Sequence, residues 1–81
     1  MSRKKHAADI HTETQIARAV SFTIYLRKSP HEVFRETAAS IPDARAVESR
    51  MNAEHGKNGR RAIVYAITPE RVNHFVPDHM R

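Results

Sequence analysis

Residues 20–27 constrain the fold more than any other stretch of the chain. Apolar Val20, Phe22, Ile24 and Leu26 alternate there with Ser21, Thr23, Tyr25 and Arg27. Successive side chains of a strand point to opposite faces of a sheet, so strict period-two alternation predicts a strand with one buried and one wetter face. The strand is placed at 19–27, and it needs both a partner strand and a covering layer. Lys28-Ser29-Pro30-His31 supplies turn chemistry, with Pro30 pre-setting φ for the bend. Glu32 to Ala38 then pairs back as the second arm of a hairpin. Its pattern is weaker, with Phe34 and Ala38 on one face and Val33, Arg35 and Thr37 on the other, which suits an edge.

Ser40-Ile41-Pro42-Asp43 opens a helix. The Ser40 hydroxyl can cap it, Asp43 stands three residues on as the box partner, and Pro42 is harmless in a first turn whose amides have no helical acceptor. Ala44, Val47 and Met51 recur at helical spacing, with Arg45, Glu48, Ser49 and Asn52 on the wet side. Gly56 is expected as a left-handed residue closing the helix, and Asn58-Gly59 adds a turn signal. Residues 61–67, Arg-Ala-Ile-Val-Tyr-Ala-Ile, form a nearly continuous apolar third strand, which implies burial on both faces or a partner over one of them. Thr68-Pro69-Glu70-Arg71 reads as a type I turn, and Val72 to Val76 as a last short strand stopped by Pro77.

The element order ββαββ closes in one natural way. A helix of about 15 residues at 1.5 Å each spans roughly 22 Å, nearly the length of a seven-residue strand at about 3.3 Å per residue. It therefore returns the chain to the hairpin end, and strand three starts there, antiparallel to strand one. The expected fold is a small α+β domain: an antiparallel four-stranded sheet in the order 2-1-3-4, with one helix packed on one face. The expected organisation is a single domain over 19–77, after a flexible basic N-terminal tail over 1–18 and before a frayed end at 78–81. Within the tail, Thr12-Glu13-Thr14-Gln15 fits a capping box, so one helical turn over 13–18 is allowed. Ile10 and Ile16 are its only large apolar groups past Met1, and disorder is expected up to residue 12.

Composition excludes several function classes. Among 81 residues there is no cysteine, which rules out a disulfide scaffold, a thiol nucleophile and cysteine-based zinc or iron–sulfur sites. No apolar run nears the roughly 20 residues that span a bilayer. No apolar segment follows the charged Ser2-Arg3-Lys4-Lys5 start, so a soluble cytoplasmic chain is expected. The six histidines, His6, His11, His31, His55, His74 and His79, show no paired ligand spacing, and no metal or small-molecule cofactor is expected. Glu54-His55 sits where an imidazolium would complement a helix C-terminus. Glu32 and Glu36 would lie on an edge strand with no cleft, the serines have no neighbouring base, and the two glycines form no phosphate loop. An enzyme is not expected.

What remains is charge, and the topology places it. The net charge is +5, from 14 Lys and Arg against 9 Asp and Glu. Arg27 and Lys28 end strand one while Lys57, Arg60 and Arg61 lead into strand three, so all five gather at one pole beside His31. The plain reading is a solvated rim; the functional one is an anion site. If the apolar side of strand one packs on the helix, then Ser21, Thr23, Tyr25 and Arg27 line an open face with Arg35 and Thr37, a mixture that bonds phosphates and stacks on bases. Strand three carries Ile63, Tyr65 and Ile67 on one side and Ala62, Val64 and Ala66 on the other. If the small side meets the helix, the open face gains an apolar patch, to be covered by residues 13–18 or by a second copy.

A hairpin with outward Tyr25, Arg27 and Arg35 followed by a helix resembles, in general form, the sheet-reading DNA-binding domains, such as the N-terminal arm-type domains of tyrosine recombinases. Those place three strands before the helix, whereas this chain places two before and two after. The resemblance is a fold analogy, which by itself licenses no function.

Two functions are expected. The first is a small non-enzymatic, bacterial-type binding module for nucleic acid. Arg27, Lys28, Lys57, Arg60 and Arg61 would neutralise phosphates, and Tyr25 and Arg35 would contact sugar or base. The second is a protein-interaction module that homodimerises or docks on a protein partner through the face of Ile63, Tyr65 and Ile67 or through the edge of strand four. No membrane partner is expected.

Overall fold

The computed structural model describes residues 7–57 and 59–78. The basic run at 3–6, Asn58 of the Asn-Gly turn signal, and residues 79–81 of the expected frayed end lie outside the described residues. The elements are α1 (Ala7–Arg18), β1 (Ser21–Ser29), β2 (Glu32–Ala38), α2 (Ile41–His55), β3 (Ile63–Ile67) and β4 (Asn73–Phe75). They form the antiparallel sheet β2-β1-β3-β4 with β1 and β3 central, the order that helix reach requires.

The alternation in β1 holds for Phe22, Ile24 and Leu26, which are buried, Ile24 and Leu26 completely. Val20 departs from it: the strand starts at Ser21 rather than at residue 19, and Val20, just before it, is 63% exposed. On the buried side β3 contributes Val64 and two small residues, Ala62 and Ala66. Those alanines and Ala44 of α2 let the helix approach closely, and Met51 and Val76 fill the remaining space. The Val76 amide donates to the Val64 carbonyl at 2.9 Å, so pairing between β3 and the end of the chain runs past β4 to the core residue before Pro77. β1 runs to Ser29 rather than ending at Arg27, through a register shift between the two. The hairpin tip is fixed by the Ser29 hydroxyl, which accepts from the amides of His31 and Glu32 at 3.2 and 3.0 Å. β3 and β4 are shorter than expected, starting at Ile63 and Asn73.

The capped start of α2 forms as its sequence dictates. The Asp43 amide donates to the Ser40 hydroxyl at 3.3 Å, with Pro42 in the first turn. Its end differs from expectation: Gly56 has φ −81°, outside the left-handed region. The requirement for glycine there is close approach. A Cβ at Gly56 would stand 2.6 Å from the Asn52 carbonyl oxygen and 3.1 Å from that of Arg60, while the Gly56 amide bonds that same Asn52 carbonyl. Asn52 also accepts from the Ala62 amide through its side chain at 2.7 Å, which ties the helix end to the lead-in of β3.

The N-terminal segment is the main correction. Residues 7–18 form a continuous helix rather than a flexible tail with one turn at 13–18. Thr12 lies inside it, so the presumed box is not a cap, and Thr14 bonds back to the Ile10 carbonyl at 2.9 Å. A helix of this length is marginal alone; tertiary contacts hold it. Ile16 packs on the core, Arg18 makes a two-pronged ion pair with Glu70 at 2.7–2.8 Å, and His11 meets His74 edge-on at 6.2 Å. His74 stands opposite buried Ala66 in the β3–β4 register. So α1 covers the β3–β4 half of the face that α2 covers over β1 and β2, and the sheet carries both helices on one side. No helix of the described residues is long and apolar enough to cross a membrane.

The β3–β4 connection contains one strained residue. The Arg71 amide donates to the Thr68 carbonyl at 2.8 Å, closing the expected turn, and Arg71 itself has φ +66°. This is the three-residue hairpin loop in which a left-handed residue follows the turn, a position that suits glycine. Arg71→Gly is therefore expected to stabilise the fold by about 1 kcal/mol, raising the thermal midpoint by about 4–8 °C in a melt followed by circular dichroism.

A second prediction concerns acid. Arg50 of α2 hydrogen-bonds and pairs with Glu36 of β2, which holds the Glu36 carboxyl below its ordinary value of 4.5 and raises Arg50. A depressed carboxylate contributes stability that is full above its unfolded pKa and is lost as pH falls through the folded one. The contribution thus fades from about pH 4.5 downward. Glu36→Gln should remove that part of the acid slope when urea midpoints are compared across pH 2–8, with little change in the slope above pH 6.

Candidate functional site

With both helices on one side, the other face of the sheet is open. The register sets its rows. Tyr25 lies opposite Arg35 on β2 and Ile63 on β3, and Thr23 lies between Thr37 and Tyr65. Tyr65 in turn faces Phe75 of β4, and Ile67 faces Asn73. The alternative left open by the apolar run of residues 61–67 resolves in favour of small residues inward, so Ile63, Tyr65 and Ile67 stand on the open face, each half-buried. Residues 13–18 do not cover them, since α1 lies on the opposite side.

The centre of this face is a shallow trough of about 540 Å³ lined by Thr23, Tyr25, Arg35, Tyr65 and Asn73. Its size falls within the range of ligand clefts, roughly 300–1,000 Å³, and its lining is mainly polar and aromatic. Arg27 lies against it, donating to the Tyr25 hydroxyl at 3.2 Å and to the Pro30 carbonyl at 3.5 Å. Tyr65 and Phe75 meet edge-to-face with ring centres 6.4 Å apart. Phe75 is 53% exposed and Val33, at the opposite edge, 41%. The outward positions of the paired strand segments 21–27, 33–37, 63–67 and 73–75 carry Arg27 and Arg35 and no carboxylate.

The basic residues expected at one pole separate. Arg27 belongs to the open face, with Tyr25 and Arg35. Lys28, Lys57 and Arg60 instead line a smaller cleft of about 160 Å³ with Glu54 and His55, at the C-terminal end of α2. Lys28 lies 6.0 Å from the Phe34 ring, and that ring stacks on His55 at 3.9 Å, nearly parallel. His55 thus packs on Phe34 at the helix end. Cations here also offset the partial negative charge of the α2 C-terminus. The Arg60 guanidinium donates to the Arg27 carbonyl at 3.3 Å and links the two groups. Arg61 is exposed just before β3.

Three outward residues were missed from the sequence as members of one site. The sequence pattern marks Tyr65 only as part of an apolar patch, although it lines the same trough as Tyr25. Asn73 and Phe75 fall in the expected last strand, but the sequence reading gives them no part in the site. Their signal is the parity of β4: Val76 is the inward residue, so 75 and 73 must point out. Among the described residues no group of three His, Asp or Glu side chains could hold a metal ion.

Comparison of the chain with family models, with curated proteins and with solved structures gives no match. The candidate site therefore stands on its own chemistry.

Proposed function

We propose that the chain is a small non-enzymatic binding module that holds nucleic acid across the open face of its sheet. The observation that carries this reading is the company Tyr25 keeps. On one carboxylate-free face it lies opposite Arg35, beside Arg27 and on the same trough as Tyr65. Guanidinium groups, hydroxyls and an amide are the donors that contact phosphate and sugar oxygens, and the aromatic faces accept bases. Arginines elsewhere brace the fold by pairing with acids, as Arg18 does with Glu70 and Arg50 with Glu36. Arg27 bonds only neutral oxygens, and Arg35 has no ion pair among the described residues. Lys28, Lys57, Arg60 and Arg61 extend the positive field past one end of the face, and the net charge of +5 adds long-range attraction.

Labelled oligonucleotides should bind with an affinity that falls steeply with salt. Arg27→Ala with Arg35→Ala removes two phosphate contacts, so the slope of log affinity against log salt should shrink by about 1.4 for a single strand or 1.8 for a duplex. Arg45→Ala, on the outer side of α2, should leave the slope alone. An unchanged slope in the double variant, or no binding at low salt, would defeat the reading.

A second reading rests on the apolar members of the same face. Ile63 and Ile67 with exposed Phe75 on the neighbouring strand make a patch of the kind that marks partner contact. A second copy laid on it would bury these groups and hide the trough. This reading expects a dimer at tens of micromolar that Ile63→Lys splits in sedimentation, and competition between self-association and oligonucleotide. A monomer throughout that range removes it.

A further inference from the structure

The rings on the open face form a row. Tyr25 on β1 is paired with Ile63, so Tyr65, two residues along β3, is its diagonal neighbour, and Tyr65 is paired with Phe75 on β4. Diagonal neighbours in a sheet stand about 7–8 Å apart, and the Tyr65 and Phe75 ring centres are 6.4 Å apart. Both intervals are about twice the 3.4 Å repeat of stacked nucleotides in one strand of a duplex. Bases seated on successive rings cannot remain stacked on each other. They must be spread along an extended strand, which a duplex does not allow.

The width of the sheet argues the same way. Three strand spacings of about 4.8 Å separate the edge backbones, roughly 14 Å in all. A major groove about 12 Å wide admits one helix or a two-stranded ribbon, so this four-stranded face is too broad to enter it. The centre of the face is a shallow open trough, which receives a strand rather than wedging into a groove. Resting on the nucleic-acid reading above, we infer that the ligand is single-stranded. Its bases stack on the Tyr25–Tyr65–Phe75 row, and phosphates at the Tyr25 end of that row meet Arg27 and Arg35. Single-stranded DNA and RNA share this chemistry of unstacked bases on a charged backbone.

The chain supplies its own reporter. Tyr25 and Tyr65 are its two tyrosines and it has no tryptophan, so its intrinsic emission comes from the open face. The experiment titrates the full chain with unlabelled oligo-dT and oligo-U 12-mers and with a 12-base-pair duplex, corrected for absorption by the nucleic acid. Anisotropy of labelled copies is read in parallel. Single strands are expected to bind at least tenfold more tightly than the duplex at equal salt and to quench tyrosine emission. Preference for DNA or for RNA is read from the two homopolymers. Tyr65→Leu should weaken single-strand binding by roughly 5- to 150-fold while leaving the salt slope unchanged, and Tyr65→Trp should restore it. The tryptophan variant keeps the test valid if the leucine variant unfolds. Duplex binding equal to or tighter than single-strand binding, or single-strand binding that Tyr65→Leu leaves intact, overturns the stacking inference and leaves the nucleic-acid reading standing. Absence of binding to all three probes at low salt removes both.

Discussion

The register of β3 against β1 determines which side of this sheet is inside and which is out. Tyr25 pairs with Ile63 and Thr23 with Tyr65, and a slip of one residue would exchange every side chain between the faces. In the observed register Ala62, Val64 and Ala66 meet the helices. Small residues at two of those three positions bring α2 near the backbone, and the volume they give up is filled by Ile24, Leu26 and Met51, each almost fully buried. The opposite register would place Ile63, Tyr65 and Ile67 under the helices, where three bulky groups, one with a hydroxyl needing a partner, would force the layers apart. The core is closed by the small residues, and the large ones are displaced to the open face as a consequence. The candidate site is thus the complement of the packing solution.

The covering layer depends on the same choice. α2 alone spans β1 and β2 and touches β3. The inner side of β3 and β4, with Ala66, His74 and Val76, needs a second cover, and α1 provides it through Ile16 and His11. The Arg18–Glu70 pair and the bond from the Val20 amide to the Ile67 carbonyl at 2.8 Å fix where α1 enters the sheet. Because this requirement arises from the core side, α1 is not available to screen the aromatic row.

Strand β1, the hairpin, the Ser40 cap and the order 2-1-3-4 were legible in the sequence because each depends on local chemistry or on chain length: a period of two, a proline, a hydroxyl beside a free amide, a helix as long as a strand. α1 was not legible. Its residues carry little apolar periodicity, and its stability comes from groups at positions 16, 18 and 70 that sequence distance separates. The register of β3 was not legible either, since both its faces are apolar and only the volume available beneath α2 chooses between them. Gly56 shows the same limit in small: the sequence marks a helix end, but close approach to the carbonyls of residues 52 and 60, not a left-handed turn, demands the glycine. Of the candidate site, Tyr25, Arg27 and Arg35 could be read from β1 and β2. Tyr65, Asn73 and Phe75 required the register.

The sheet plane also divides charge in a way that composition hides. Lys28, Lys57 and Arg60 surround the C-terminal end of α2, where they offset the helix dipole and, through Lys28 over Phe34, pack against the stacked rings. Their positive charge has a structural use on that side. Arg27 and Arg35 have no such use: neither lies at a helix end, neither meets an acid among the described residues, and both stand on a face whose paired positions hold no carboxylate. Arg27 bonds only the neutral oxygens of Tyr25 and Pro30, so a polyanion laid there gains the charge of both arginines without first displacing a resident carboxylate. This asymmetry makes the open face, rather than the basic pole as a whole, the surface whose charge is left over from folding.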